Sequence, residues 1–223
     1  MSTPPLSPGK ILGLDVSRCQ GVNIPWPSVA ASDVQFVVIK STEGETYVDS
    51  QFKQNVLDAM AQEGIPLVGA YHVFRPDRDP LVQAKHYTDV SEAAVNMRPV
   101  LDFEVVPTDH NFGRMAEQAM VWVEEVERLW SAPVVLYTYV NFALMLPKVN
   151  AAVAELSKRQ LWIADYRKHP AAQVPPPWKE AAVWQWDGDG GYKLPVNSAG
   201  KEVDADYNWF DGTLDELLKG FGR

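Results

Sequence analysis

Two carboxylates stand two residues apart in the run Val100-Leu101-Asp102-Phe103-Glu104. Residues i and i+2 of an extended strand share one face, so Asp102 and Glu104 lie side by side. Like charges held that close repel, and one of the pair tends to keep its proton near neutral pH. A retained proton beside a second carboxylate is the equipment for cleaving a glycosidic bond. The acid protonates the leaving oxygen, and the carboxylate stabilises the oxocarbenium-like transition state. Val100, Leu101 and Phe103 make this a buried run, where carboxylates are costly unless they are paired or used.

Other acids fall at the ends of strand-like runs. Asp15 closes ILGLDVS, and a strand-terminal aspartate is as often a turn cap as a functional group. Asp204 and Asp206 again share a face near the chain end. Aromatic residues accompany them: Tyr71, Tyr137, Tyr166, Trp184 and Trp186 are candidates to stack on sugar rings with their polar tips on hydroxyls. Trp162 is placed at the same rim, whereas Trp122 and Trp130 fall in a long helix and read as core. His72, His86, His110 and His169 show no metal-ligand spacing, so no metal and no cofactor are expected, and His72 reads as structural. No G-x-S-x-G elbow is present. Cys19 is the single cysteine, which excludes an intrachain disulfide and reads as a small packing residue.

Strands alternating with helices must position these groups. Strands are expected at Ile11–Ser17, Phe36–Lys40, Leu67–Phe74, Pro99–Glu104, Pro133–Thr138, Leu161–Tyr166, Ala182–Trp186 and about Val203–Asp206. One helix is expected from a cap at about Ser50 to a stop at Gly64, and another opens at Asp79-Pro80. Met115, Ala119, Trp122, Val126 and Leu129 recur at helical spacing in a third, and a short one covers about Ala151–Ser157. Loops rich in Pro or Gly replace the long helices in the last third. Repeated strand–helix units predict an α/β fold with parallel strands and right-handed crossovers. Eight strands suffice to close a TIM-like barrel, whose sites gather at the C-terminal strand ends. An open doubly wound sheet is the alternative; DVSRCQG after the first strand lacks a Gly-rich phosphate loop.

The chain has 223 residues, of which 46% are hydrophobic and 22% charged, enough for a single core. Residues 1–10 read as a flexible lead-in and 11–223 as one catalytic domain. The lead-in has neither a basic nor an apolar segment, so no signal peptide is visible, and no run is long enough to insert in a membrane. The expectation is synthesis in the cytoplasm and action on the cell wall after release. Twenty basic against twenty-nine acidic residues give a net charge of −9, which argues against a nucleic-acid partner. A monomer is expected.

Taken in order, the motifs resemble the glycoside hydrolase family 25 lysozymes, the Chalaropsis-type N-acetylmuramidases that include phage endolysins. GLDVSRCQG at Gly13, FVVIKSTEG at Phe36, VGAYHVFRP at Val68, VLDFE at Val100, LWIADY, VWQW and DYNWFDG at Asp206 carry the likeness, which runs from about Ile11 to Leu218. The resemblance implies a barrel of five strand–helix units followed by three strands. It also implies hydrolysis of the β-1,4 bond between N-acetylmuramic acid and N-acetylglucosamine in peptidoglycan glycan strands. Glu104 matches the proton donor; Asp102, Asp15 and a closing-strand aspartate, placed at Asp206 with Asp204 as rival, match the other acids. Asp102 is then expected to stay ionised and to raise the pKa of Glu104. The rival functions are a non-catalytic carbohydrate-binding barrel and a metal-dependent phosphoesterase.

Overall fold

The computed structural model describes residues 9–22, 24–167, 171–188, 193–194 and 203–223, so His169 falls outside it. Eight strands close a barrel: β1 (Lys10–Val16), β2 (Val34–Glu43), β3 (Leu67–Val73), β4 (Val100–Asp102), β5 (Val135–Tyr139), β6 (Gln160–Ala164), β7 (Val183–Asp187) and β8 (Asp206–Asp211). Neighbours from β1 to β7 pair in parallel, and closure comes from β8, which lies antiparallel between β7 and β1. This closure excludes an open sheet. A two-residue strand, Tyr47–Val48, extends the upper end of β2.

The helices follow the sequence pattern with shifted ends: α1 (Trp26–Ala30), α2 (Phe52–Met60), α3 (Pro80–Ser91), α4 (Phe112–Trp130), α5 (Val140–Ala143), α6 (Ala151–Leu156) and α7 (Leu214–Phe221). Asp79 caps α3 through the N–H groups of Leu81 and Val82, with Pro80 at the first helical position. Ser50 does not cap α2, which starts after Gln51 and stops at Met60, short of Gly64. Trp122 and Trp130 of α4 are buried, as expected. After α6 no helix crosses between β6, β7 and β8 among the described residues, so five strand–helix units precede three strands.

Two corrections concern the chain end. The eighth strand begins at Asp206 instead of ending there, while Val203–Asp204 pairs with Lys193–Leu194 in a separate small hairpin. A helix not anticipated follows: α7 starts with a capping box in which Thr213 and Glu216 satisfy each other's backbone N–H groups. Its Leu217 and Phe221 join Phe36, Leu67, Met97 and Phe210 and plug the lower end of the barrel.

Inward and outward residues alternate along each strand, as the pleat requires. Above the apolar plug the interior carries Val100, Val135, Trp162 and Val183, and then turns polar. Gly13 belongs to this interior because Phe36 crosses over it. A Cβ on Gly13 would sit 2.2 Å from the Phe36 ring. The absent side chain lets Phe36 fill the centre while β1 carries Asp15, two residues on, to the mouth. Gly13→Ala is expected to lower the unfolding free energy by about 1–3 kcal/mol through overpacking. Urea unfolding would show an earlier midpoint at unchanged slope, partly recovered in Gly13→Ala/Phe36→Leu; an unmoved midpoint in the single variant would contradict this packing.

Candidate active site

The parallel strands deliver their C-terminal ends, and β8 its N-terminal end, to one rim. The pairing of Asp15 with Asp206 across β1 and β8 shows the consequence: the first residue of an antiparallel strand stands beside the end of a parallel one. A pit of about 120 Å³ opens there, lined by Asp15, Tyr71, Val100, Asp102, Glu104, Tyr137, Trp162, Gln185 and Asp206. The four carboxylates picked out in the sequence therefore converge. Asp204 pairs with Lys193 in the small two-stranded sheet and is not part of β8.

Asp15 is held by a chain of fixed donors. The indole N–H of Trp162 donates to Asn208 Oδ1 at 2.7 Å. An indole can only donate, so the amide is oriented, and its Nδ2 donates to Asp15 Oδ2 at 2.8 Å. Gln185 works in the same way: its Oε1 takes the hydroxyls of Tyr137 (2.8 Å) and Tyr166 (2.5 Å), and its Nε2 donates to Asp15 Oδ2 at 2.7 Å. With two N–H groups on Oδ2, any proton on Asp15 sits on Oδ1. Burial, then the nearby Asp206, push the Asp15 pKa well above its ordinary value, although the two amides oppose this.

Asp102 ends β4, and Glu104 lies just beyond the ladder, past the bond from Phe103 N–H to Tyr137 O. Asp102 is only 6% exposed, and its Oδ1 has no hydrogen-bond partner. Burial and the charge of Glu104 drive its pKa well up, with Lys40 pulling the other way. Glu104 is also raised, by burial first, with Lys40 lowering it and Asp206 adding to the rise. Burial thus acts on both acids in the same direction, towards the protonated form. Lys40 sits on the inward face of β2, next to Tyr71 in register, and forms an ion pair with Glu43 at 2.7 Å.

The aromatic candidates divide. Tyr71, Tyr137 and Trp162 line the pit, and Tyr166 lies on its flank. Trp184 and Trp186 lie on the opposite face of β7 and are not among the residues that line the pit. Trp184 donates to Asp165 O at 2.9 Å, and Trp186 stacks on Trp209. The period of two along W-Q-W forces this, since turning Gln185 inward turns both tryptophans out. Gln185, Asn208 and Lys40 are the site residues sequence reasoning missed; the alternation itself was the available signal for Gln185.

Other groups prove structural. His72 is fully buried and stacked on Trp122; its Nδ1 meets Thr42 Oγ1 at 2.8 Å and its Nε2 meets Gln83 Oε1. Burial pushes its pKa down to about 3, so it stays neutral. Asp165 is buried under Arg167. Burial raises its pKa, but the bonds from Arg167 and the Gln173 N–H prevail and hold it low. Cys19 is exposed in the short turn Arg18–Gln20, which Ser17 and Gln20 close with a capping box, and it packs no core.

Residues 14–193 match the sequence model of "Glycosyl hydrolases family 25". The chain belongs to this family. A family 25 member is a glycoside hydrolase. Among solved structures, a bacterial lysozyme from Streptomyces coelicolor is 27% identical with a TM-score of 0.76, covering 93% of this chain and 95% of the other. A family 25 glycosyl hydrolase from Bacillus anthracis is 26% identical with a TM-score of 0.77, covering 94% and 92%. Among sequence relatives, the autolytic lysozyme of Clostridium acetobutylicum is 31% identical over 158 residues, 69% of this chain and 44% of the relative. The uncharacterized protein YegX of Escherichia coli K12 is 28% identical over 217 residues, 93% of this chain and 72% of the relative.

The raised acids of this hydrolase set a pH dependence of stability. At low pH the Asp102 carboxyl is protonated in the folded and the unfolded chain, so its ionisation makes no difference between the two states. Above about pH 3.9 the unfolded chain releases that proton and the folded chain does not. Stability contributed by Asp102 is therefore lost as pH rises towards the raised native pKa. Asp102→Asn removes this slope. The variant is expected to melt at a higher temperature than the parent at pH 7, with the gap closing towards pH 3. Equal melting temperatures at pH 7 would contradict the raised value.

Proposed function

We propose that the protein is a lysozyme that cuts peptidoglycan glycan strands on the reducing side of N-acetylmuramic acid, with Glu104 as general acid. The observation that carries the role of Glu104 is its position. It is the carboxylate shared by the deep pit and by a wider groove beside it, so it alone of the four borders both spaces. A glycosidic oxygen bridging two sugars must lie at such a border, and its protonating acid must be within hydrogen-bond reach of it. The raised pKa of Glu104 keeps a proton available.

Asp15, Asp102 and Asp206 surround the sugar in the pit, where a carboxylate of the cluster that has given up its proton stabilises the positive charge developing on the ring. Asp102 lines the pit beside that sugar and steadies an N-acetyl group carried on it. An N-acetyl group steadied in this way has its carbonyl oxygen available to attack the anomeric carbon, which gives retention without a protein nucleophile. Family membership favours neither a binding-only barrel nor a phosphoesterase.

Glu104→Gln keeps the shape and loses the transferable proton. Turnover on purified peptidoglycan is expected to fall by roughly 10²–10⁴ with substrate binding preserved. Mass analysis of the parent's products should find the new reducing ends on N-acetylmuramic acid, and proton NMR should find the β-anomer first. A Gln variant that keeps most of its rate would refute the acid assignment. New ends on N-acetylglucosamine, or an initial α-product, would refute the bond or the stereochemistry.

A further inference from the structure

Two buried side-chain amides, Asn208 and Gln185, end on the same oxygen of Asp15, at 2.8 and 2.7 Å. An amide can turn either its carbonyl or its NH2 group to a neighbour. The NH2 group favours a charged carboxylate, whereas the carbonyl demands a proton there. Which end faces Asp15 therefore governs how readily that acid carries charge.

Asn208 is fixed by three partners. Its Oδ1 accepts the Trp162 indole N–H, and its Nδ2 donates to Asp15 Oδ2 and, at 3.3 Å, to the backbone oxygen of Asp206. Turned over, it would set its NH2 group against an indole that can only donate and its carbonyl against two acceptors. Gln185 is held by the hydroxyls of Tyr137 and Tyr166 on its Oε1. A hydroxyl can donate or accept, so this second amide is held less strictly than the first.

Asp102 is buried as deeply as Asp15, 6% against 7% exposed, but its Oδ1 meets no hydrogen-bond donor among the described residues. The cation that acts on it is Lys40 of β2, which is already paired with Glu43. The other titratable groups that face Asp15 are Asp206 of β8, Glu104 beyond β4, Tyr71 of β3, Tyr137 of β5 and Tyr166 after β6. Burial raises the pKa of all three tyrosines, so they stay neutral, and the two acids repel a charge on Asp15. The amides are the groups that favour that charge. We infer that Asn208 and Gln185 are positioning residues that make Asp15, in preference to Asp102, the aspartate that carries negative charge when the sugar ring in the pit becomes positive. This rests on the proposed reaction, in which Glu104 keeps its proton while a neighbouring acid has lost one. Repulsion is mutual, so a charge settled on Asp15 opposes ionisation of Asp102 and Glu104.

The test compares Asn208→Leu and Gln185→Met with the parent by carbon-13 titration of the carboxyls and by the pH profile of kcat/KM on purified peptidoglycan. In the parent, Asp15 is expected to titrate below Asp102. Removing one donor makes the Asp15 proton harder to release, so its pKa rises by about one unit, a roughly tenfold change in the equilibrium. The acid limb of the pH profile moves up with it, while the alkaline limb, set by Glu104, stays in place. Trp162→Phe frees the Asn208 amide without removing it and is expected to shift the acid limb the same way by less. If Asn208→Leu does not fold, Gln185→Met decides. Asp102 titrating below Asp15 in the parent overturns the inference. So does a folded donor variant whose acid limb is unmoved, or whose rate falls equally at every pH as a merely loosened site would. Failure of the unsubstituted enzyme to cut peptidoglycan falls on the proposed function instead, and the carboxyl titration, which needs no substrate, still decides the order of the two aspartates.

Discussion

Three acids at the mouth of this barrel are pushed in the same direction by the loss of water around them. Asp15, Asp102 and Glu104 each lose hydration, and each feels at least one other carboxylate close by. The electrostatic cost is met in two ways. Some of the acids keep protons they would lose in solution, and fixed donors from Asn208 and Gln185 meet Asp15. Beneath them the closed apolar interior and the α7 plug exclude water from one side, so desolvation is built into the architecture. The arrangement spends folding stability to keep a proton where a leaving group needs one.

The antiparallel closing strand is the structural device behind this. A parallel eighth strand starting at Asp206 would direct that residue to the lower end of the barrel. Reversing the strand puts Asp206 opposite Asp15 and puts Asn208 between Trp162 and Asp15. It also leaves Phe210 low in the barrel, where it meets Phe221 of α7 edge to face at 5.7 Å. One strand therefore supplies an acid at the top, an oriented amide below it and a core residue at the base.

Much of this was legible in the sequence, for physical reasons. Strand–helix alternation and the helix-poor last third predict the barrel, because each pattern reflects a buried face with its own period. The D-x-E spacing predicts a shared face, and both acids do line the pit. What escaped was direction and register. Nothing in DYNWFDG states that the strand runs backwards, and a slip by one residue decides whether Gln185 or its flanking tryptophans look inward. The α7 helix was readable from its Thr213–Glu216 capping box, a signal available but not used. The depth of burial of Asp102 and Glu104 was not readable, and burial is the largest influence on both.

The central claim is that confinement in one pit holds these acids above the ordinary carboxylate range. Carbon-13 NMR titration of the side-chain carboxyls, assigned by single substitutions, measures this directly. The account predicts that Asp15, Asp102 and Glu104 titrate above the usual values of about 3.9 for Asp and 4.3 for Glu. Titration of all three near those usual values would contradict it.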